Sequence, residues 1–323
     1  MREREYQLRM SSSGRALCIA ALLSTAACAE EWVDPPPIDS ARFLEEHRQW
    51  RQERLGLLKD PADSALSLVG LWPLKEGRTS FGSDPTSDVV LDARHAPPQA
   101  GAIVRSGNVF MLEPPASRAL TLASGETVAA PMRAGTDRAD EATTVVLGNL
   151  RLYVHEEPGP GYWIRVRDVA DPRLPTAAAT DVFEPDLRWR VAAKFEPFRT
   201  PRLLDVSDVT GGTQPREAPG MLRFRIDGRV YRVMPMGRRD APSWKVPFND
   251  QTNRTETFQG GRYLNVPLPD ASGWTVIDFN RARNPPCAYS RYTVCELPPP
   301  ENRLPLPVAA GEKRPPPQDR ISR

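Results

Sequence analysis

The stretch TTVVLGNLRLYVHEEPGPGYWIRVRDV, residues 143–169, decides the fold. Its first half sets β-branched and apolar residues on both sides of Gly148-Asn149, the pattern of two strands joined by a tight turn. Its second half alternates, with Trp163, Arg165 and Arg167 on one side and Ile164 and Val166 on the other. A period of two puts those sets on opposite faces of a sheet. The same signature recurs on either side. SALSLVGLWPL (with Trp72 near its end), GAIVRSGNVFML and RALTLASG come before it; RWRVAAKFEPF, GMLRFRIDGRVYRVMPM, GRYLNVPLP and SGWTVIDF come after it. Short strands punctuated by glycine and proline indicate a mainly β protein of sandwich or barrel type. Strand–helix alternation is missing, which argues against a doubly wound fold. The 35 prolines among 323 residues fit turns, edges and ordered loops, since proline serves neither a central strand nor a helix interior.

The ends read differently. Arg2, Arg4, Arg9 and Arg15 precede the apolar run Ala16 to Leu23, and STAACAE follows, the order of an export signal. LSTAAC resembles a lipoprotein signal with Cys28 as the lipidated first residue; cleavage after Ala29 is the alternative. The expected localisation is the periplasm or outer membrane of a bacterium, with the membrane reached through that lipid. Of 43 basic and 41 acidic residues, positions 1–28 hold four arginines and two glutamates, so their removal leaves the charges balanced at 39 each. A nucleic-acid partner is not expected, because no basic stripe replaces phosphate counterions.

A proline-rich tether, 29–38, leads to a helix at 39–60 capped by Asp39 or Ser40. Phe43, Trp50 and Leu57 form its stripe, widened by Leu44 and Leu58, and His47 reads as a solvated helix residue. Residues 61–175 are expected to form a β-sandwich. Residues 176–313 form a second β-rich unit, sandwich or barrel, packed against it. The final VAAGEKRPPPQDRISR reads as frayed, with 314–323 a disordered tail.

The chemistry-bearing residues gather late in the chain. FNDQTNRTETFQGGRY holds Asp250, Thr252 and Arg262; DFNRARN holds Asp278, Asn280, Arg281 and Asn284; PPPENR adds Asn302. Asp278 and Asn280 leave an apolar strand directly, a place where a rigid scaffold presents polar groups. If Asp250 and Asp278 converge they can act as an acid–base pair, and a hydrolase would use them so. Thr252, Arg262, Asn280, Arg281, Asn284 and Asn302 are the candidate ligand-binding residues, for a small polar or anionic molecule. The competing explanation is that the same groups satisfy loop backbone. A structural or protein-interaction module of the envelope, without catalysis, then follows. Cys287 and Cys295 are eight apart; in an exported chain they read first as a disulfide and otherwise as a thiol pair. No cofactor is expected and no metal site, because local zinc-ligand spacing is missing. G-x-S-x-G, P-loop, H-E-x-x-H and dinucleotide motifs are also missing.

Two resemblances complete the reading. FGSDPTSDVVLDARHAPPQAGAIV (residues 81–104) resembles the start of a forkhead-associated domain. Ser83 stands where that family carries its arginine, and Arg94 and His95 fall out of its pattern, so the resemblance implies a β-sandwich more than phosphothreonine binding. LVGLWPLKEGRTSFGSDPTSDVVL, WRVAAKFEPF, FNDQTNRTETFQGGRYL and VIDFNRARNPPCAYSRYTVCELPPPENRLPLPVAAGE together resemble the DUF1684 family of bacterial proteins, over roughly residues 42–313. Asp250, Thr252, Gly261, Arg262, Asp278, Asn280, Arg281, Asn284, Cys287 and Cys295 match its pattern, and Phe258 replaces its usual tyrosine. The resemblance supplies no substrate. Family members that look cytosolic carry both cysteines, which implies thiols as readily as a bridge.

Overall fold

The computed structural model describes residues 32–140, 142–157, 161–176, 180–209 and 211–316; the signal region with Cys28 and the last seven residues lie outside them. The described elements from Asp34 onward belong to one compact unit.

Helix α1 (Ser40–Lys59) begins where its cap predicts, with the Asp39 carboxylate accepting the Arg42 N–H at 2.9 Å. Its inward face differs from expectation. Phe43, His47 and Leu58 are buried, with Trp50 and Arg54 half-buried between them, while Leu44 and Leu57 point to solvent. His47 is therefore a buried residue and not a solvated one. The cause is the surface that α1 meets: a polar one carrying Arg281 and Glu312, which draws in the row containing His47 and Arg54.

Eleven strands follow: β1 (Leu68–Pro73), β2 (Gly77–Gly82), β3 (Val89–Val90), β4 (Gly101–Ser106), β5 (Val109–Glu113), β6 (Leu120–Leu122), β7 (Thr127–Val128), β8 (Met132–Ala134), β9 (Thr144–Leu147), β10 (Leu150–Glu156) and β11 (Tyr162–Asp168). One sheet has the order β1-β11-β10-β9-β6-β7 and the other β3-β2-β4-β5-β8. The stretch quoted first is the centre of the larger sheet: β9 and β10 pair as a hairpin, and β10 runs antiparallel to β11 from Leu150–Asp168 to Glu156–Tyr162. Ile164 and Val166 face a core of Phe81, Ile103, Leu112, Leu152 and their neighbours, as the alternation requires.

A short helix, α2 (Arg173–Thr176), precedes β12 (Arg190–Ser207), β13 (Thr213–Ile226), β14 (Arg229–Val233), β15 (Ser243–Phe248), β16 (Arg262–Pro267) and β17 (Trp274–Asp278). Four of these form the sheet β14-β13-β12-β17, and β15 pairs with β16. The IDGRVY turn closes β13 onto β14 with Asp227 and Gly228 at positive φ. Trp189, Phe224, Trp244, Phe248 and Phe279 fill the core beneath, together with Val308 and Ala310. The segment from Val308 to Arg314 is thus not frayed. Glu312 donates its N–H to the Ala282 carbonyl, Lys313 to Asp181 and Arg314 to Glu256. A third apolar cluster (Leu58, Leu66, Leu68, Leu174, Ala288 and Tyr289) makes the seam between α1, the start of β1 and the 286–292 loop.

Candidate functional site

The polar residues singled out late in the chain do come together, in several adjoining networks. Asp250 caps a 3₁₀ turn (Gln251–Arg254): one carboxylate oxygen accepts Thr252 N–H at 2.8 Å, Thr252 Oγ1 at 2.5 Å and Val308 N–H at 3.2 Å. The other accepts Arg262 Nη2 at 2.8 Å, and neither side chain is exposed. The Arg262 guanidinium also donates to the carbonyls of Val308, at 2.9 Å, and Ala310, and lies 5.2 Å from the Phe248 ring centroid. Burial pulls its pKa below the ordinary arginine value, and the Asp250 carboxylate opposes that pull.

Asn302 is fully buried and bonds backbone three times: it accepts Met234 N–H at 2.6 Å and donates to Met234 O and Pro247 O. Asn280 exchanges two bonds of 3.0 Å with the Asp186 backbone. Asp278 caps the next 3₁₀ turn through Asn280 N–H and lies 3.4 Å from Arg281, whose Nη2 reaches Glu46 on α1 at 3.3 Å. Asn284 donates its side-chain amide to Lys313 O at 2.7 Å. His47 packs beside this turn. Burial lowers its pKa, while Asp278 and the Asn280 backbone pull the other way.

Asp250 and Asp278 share no hydrogen bond among the described residues; each belongs to a separate network. Most of these polar groups are committed to backbone or to a buried partner, while Arg262 Nε, Asn284 Oδ1 and His47 Nε2 are buried without a hydrogen bond among the described residues. One residue missed in the sequence sits at the centre of the cluster. Glu312, wholly buried, accepts Arg54 Nε at 2.8 Å, Asn284 N–H at 2.6 Å and Tyr289 Oη at 3.1 Å. The missed signal was the glycine before it. Gly311 has φ +74°, and a Cβ there would lie 2.4 Å from the Ala282 carbonyl, a sign of ordered backbone in close contact.

Cys287 and Cys295 are free thiols in the structure and not the disulfide expected first. The Cys287 N–H donates to Cys295 Sγ at 3.1 Å, so the buried sulfur serves as an acceptor that closes the loop between them. A further buried titratable group lies in the sandwich. His155 contacts Asp137 through Nδ1 at 2.5 Å and Glu157 through Nε2 at 2.7 Å. Among the described residues, no group of three or more His, Cys, Asp or Glu is placed to hold a metal ion. No described helix is long and apolar enough to cross a membrane.

An open concave surface lies elsewhere. A cleft of about 750 Å³ lies along the seam, between the β1, β10 and β11 side of the sandwich and the 290–292 loop. Its floor is Val69, Leu91, Leu150 and Val166, with Trp72 at the side. The Trp72 ring folds back onto Gly70, where a Cβ would come within 1.9 Å of it; only glycine leaves that space. Arg94 and His95 line the cleft, whereas Asp250, Asp278 and Arg262 do not. The sequence signal for it was faint, since its residues come from well-separated segments.

Residues 177–313, which include the cluster's residues from Asp186 to Glu312 but not those on α1, match the family model DUF1684, described as a protein of unknown function. An uncharacterized protein of Haloarcula marismortui, solved in solution by NMR, is 31% identical; the similarity covers 42% of this chain and 75% of that one, with a TM-score of 0.36. No curated protein matches the chain.

Proposed function

We propose that the chain is a small-molecule binding module without a catalytic centre, and that its ligand occupies the seam cleft. The polar cluster of the DUF1684 segment is then the clamp that holds the fold around it. One observation carries this reading: open hydrogen-bonding side chains lie beside apolar residues in the cleft, whereas most of those in the polar cluster bond to backbone or to buried partners. The cleft volume falls within the ~300–1,000 Å³ typical of small-ligand sites. The test is a thermal-shift screen of a metabolite library, followed by hydrogen exchange with each hit. Protection at residues 68–73, 91–95 and 290–292 supports the cleft. Hits that protect only residues 250–262 and 278–284 would move the site to the polar cluster and overturn the reading.

The chain is exported, with Cys28 as its lipidated first residue; the basic, apolar and small-residue order of 1–29 supports this. Mass analysis of the mature N-terminal peptide tests it. A diacylglyceryl Cys28 is expected, and a peptide starting at Glu30 would mean simple cleavage.

A further inference from the structure

The cleft's chemistry narrows its ligand to a class. Its lining carries three carboxylates, Asp92, Asp168 and Asp171, and three guanidiniums, Arg94, Arg173 and Arg291. Two pairs are already closed: Arg94 meets Asp92 at 2.6 Å and Arg173 meets Asp171 at 2.8 Å. Arg291 donates to Tyr292 Oη at 2.9 Å and lies over that ring. Arg291 has a neutral hydroxyl and no carboxylate for a partner, so an anion would meet Arg291 but would also face the remaining Asp168. A cation would have Asp168 for a partner but would share the cleft with three guanidiniums. The balance of charge selects neither.

The groups left open are polar but of mixed character. The His95 imidazole and the Asn149 amide make no side-chain hydrogen bond among the described residues. Asp168 spends one oxygen on Ala170 N–H at 3.0 Å and has the other available. All three line the cleft, and their segments are neighbours in the fold. Leu150, next to Asn149, pairs with Asp168 across β10 and β11, and the turn residue Gly148 sits against His95, its Cβ position being 3.2 Å from Nδ1. A purely apolar ligand would strip water from all three without replacing its hydrogen bonds, at a cost of ~1–3 kcal/mol per group. The complementary ligand is uncharged, offers several donors and acceptors at one edge, and has an apolar face for Trp72. A sugar ring has this form: its hydroxyls both donate and accept, and its C–H face packs on an indole.

We infer that the seam cleft binds a neutral carbohydrate, with Trp72 as the platform and His95, Asn149 and Asp168 as the hydroxyl-binding edge. The inference rests on the cleft being the ligand site. The test is binding of the full chain to an array of neutral glycans, followed by calorimetric titration of the best hit, with laurate and dodecyltrimethylammonium as charged apolar probes. A glycan is expected to bind, and Trp72→Ala and Asn149→Ala are each expected to weaken it by about tenfold, the equivalent of ~1.4 kcal/mol. Trp72→Phe, which keeps a ring, should lose less, and Asn149 lies on an exposed turn where replacement spares the fold. A silent array, or a glycan whose affinity ignores both substitutions, overturns the carbohydrate assignment. If laurate or the cation then binds in a Trp72-dependent way, the class is wrong and the cleft stands; if hydrogen exchange puts every hit elsewhere, the cleft falls too.

Discussion

Arg54 and Glu312 meet at 2.8 Å across 258 positions of sequence, and the glutamate side chain has no exposure at all. The pair ties the first helix to the last described segment, and Tyr289 and the Asn284 amide close the remaining positions around the carboxylate. Removing one member of a buried, hydrogen-bonded ion pair strands the other, which costs ~3–5 kcal/mol. Glu312→Ala is therefore expected to lower stability by about that much in urea unfolding. Exposed Glu45→Ala, which faces only its helix neighbours, should cost less than ~1 kcal/mol.

Arg262 uses two nitrogens of its planar fork to reach Asp250, Val308 and Ala310 at once. An ammonium is a single point charge and cannot span those acceptors. Arg262→Lys should thus fail to rescue the fold, with a loss of ~3 kcal/mol or more read from the unfolding midpoint. A lysine variant as stable as the parent would show that the fork is not needed.

Asp278 caps a 3₁₀ turn at the surface of the cluster. Asp278→Asn should fold and lose only ~1 kcal/mol, the usual scale of a cap. Cleft binding should be unchanged, and a binding defect in this variant would bring Asp278 back as a site residue.

His155 supplies a pH signature. Burial opposes its charge, but hydrogen bonds to Asp137 and Glu157 outweigh that and raise its pKa above 6.5. A group whose folded pKa is raised stabilises the fold fully below its unfolded value and loses that contribution as pH rises through the folded value. The stability gap between the parent and His155→Gln should therefore be widest below about pH 6.5 and shrink on the alkaline side. Urea midpoints across pH 5 to 9 measure it, and a gap that grew with pH would contradict the ion-pair assignment.

The cysteines supply a chemical one. The hydrogen bond with Cys295, with burial, pushes the Cys287 thiol well up, and the same bond pulls Cys295 down although burial opposes it. Cys287 is thus a poor nucleophile and Cys295 is shielded. Iodoacetamide at pH 8 should leave the native chain unlabelled and modify both thiols after denaturation. A denatured mass short by two hydrogens would mean that the sulfurs are bridged.

The hairpins and the helix start were legible because their causes are local: alternation in β11, the Gly148-Asn149 turn and the Asp39 cap each act within a few residues. The inward face of α1 was not. An apolar stripe selects Leu44 and Leu57, but the surface that meets the helix carries a carboxylate from position 312, and that partner turns the arginine row inward. The polar cluster is built largely from residues that the sequence singles out. Its use was hidden because the acceptors are backbone carbonyls of Val308, Ala310 and Lys313, which no side-chain pattern announces. The same blind spot made a proline-rich, charged ending look loose.

The Arg262 clamp also bears on the order of synthesis. Asp250 and Arg262 leave the ribosome well before Val308 and Ala310 do, so the guanidinium has its carboxylate but not its carbonyls while the last segment is still inside the exit tunnel. The DUF1684 segment therefore reaches its final packing only after translation has passed residue 312, and any chain interrupted short of that point carries an unfinished charge at its centre.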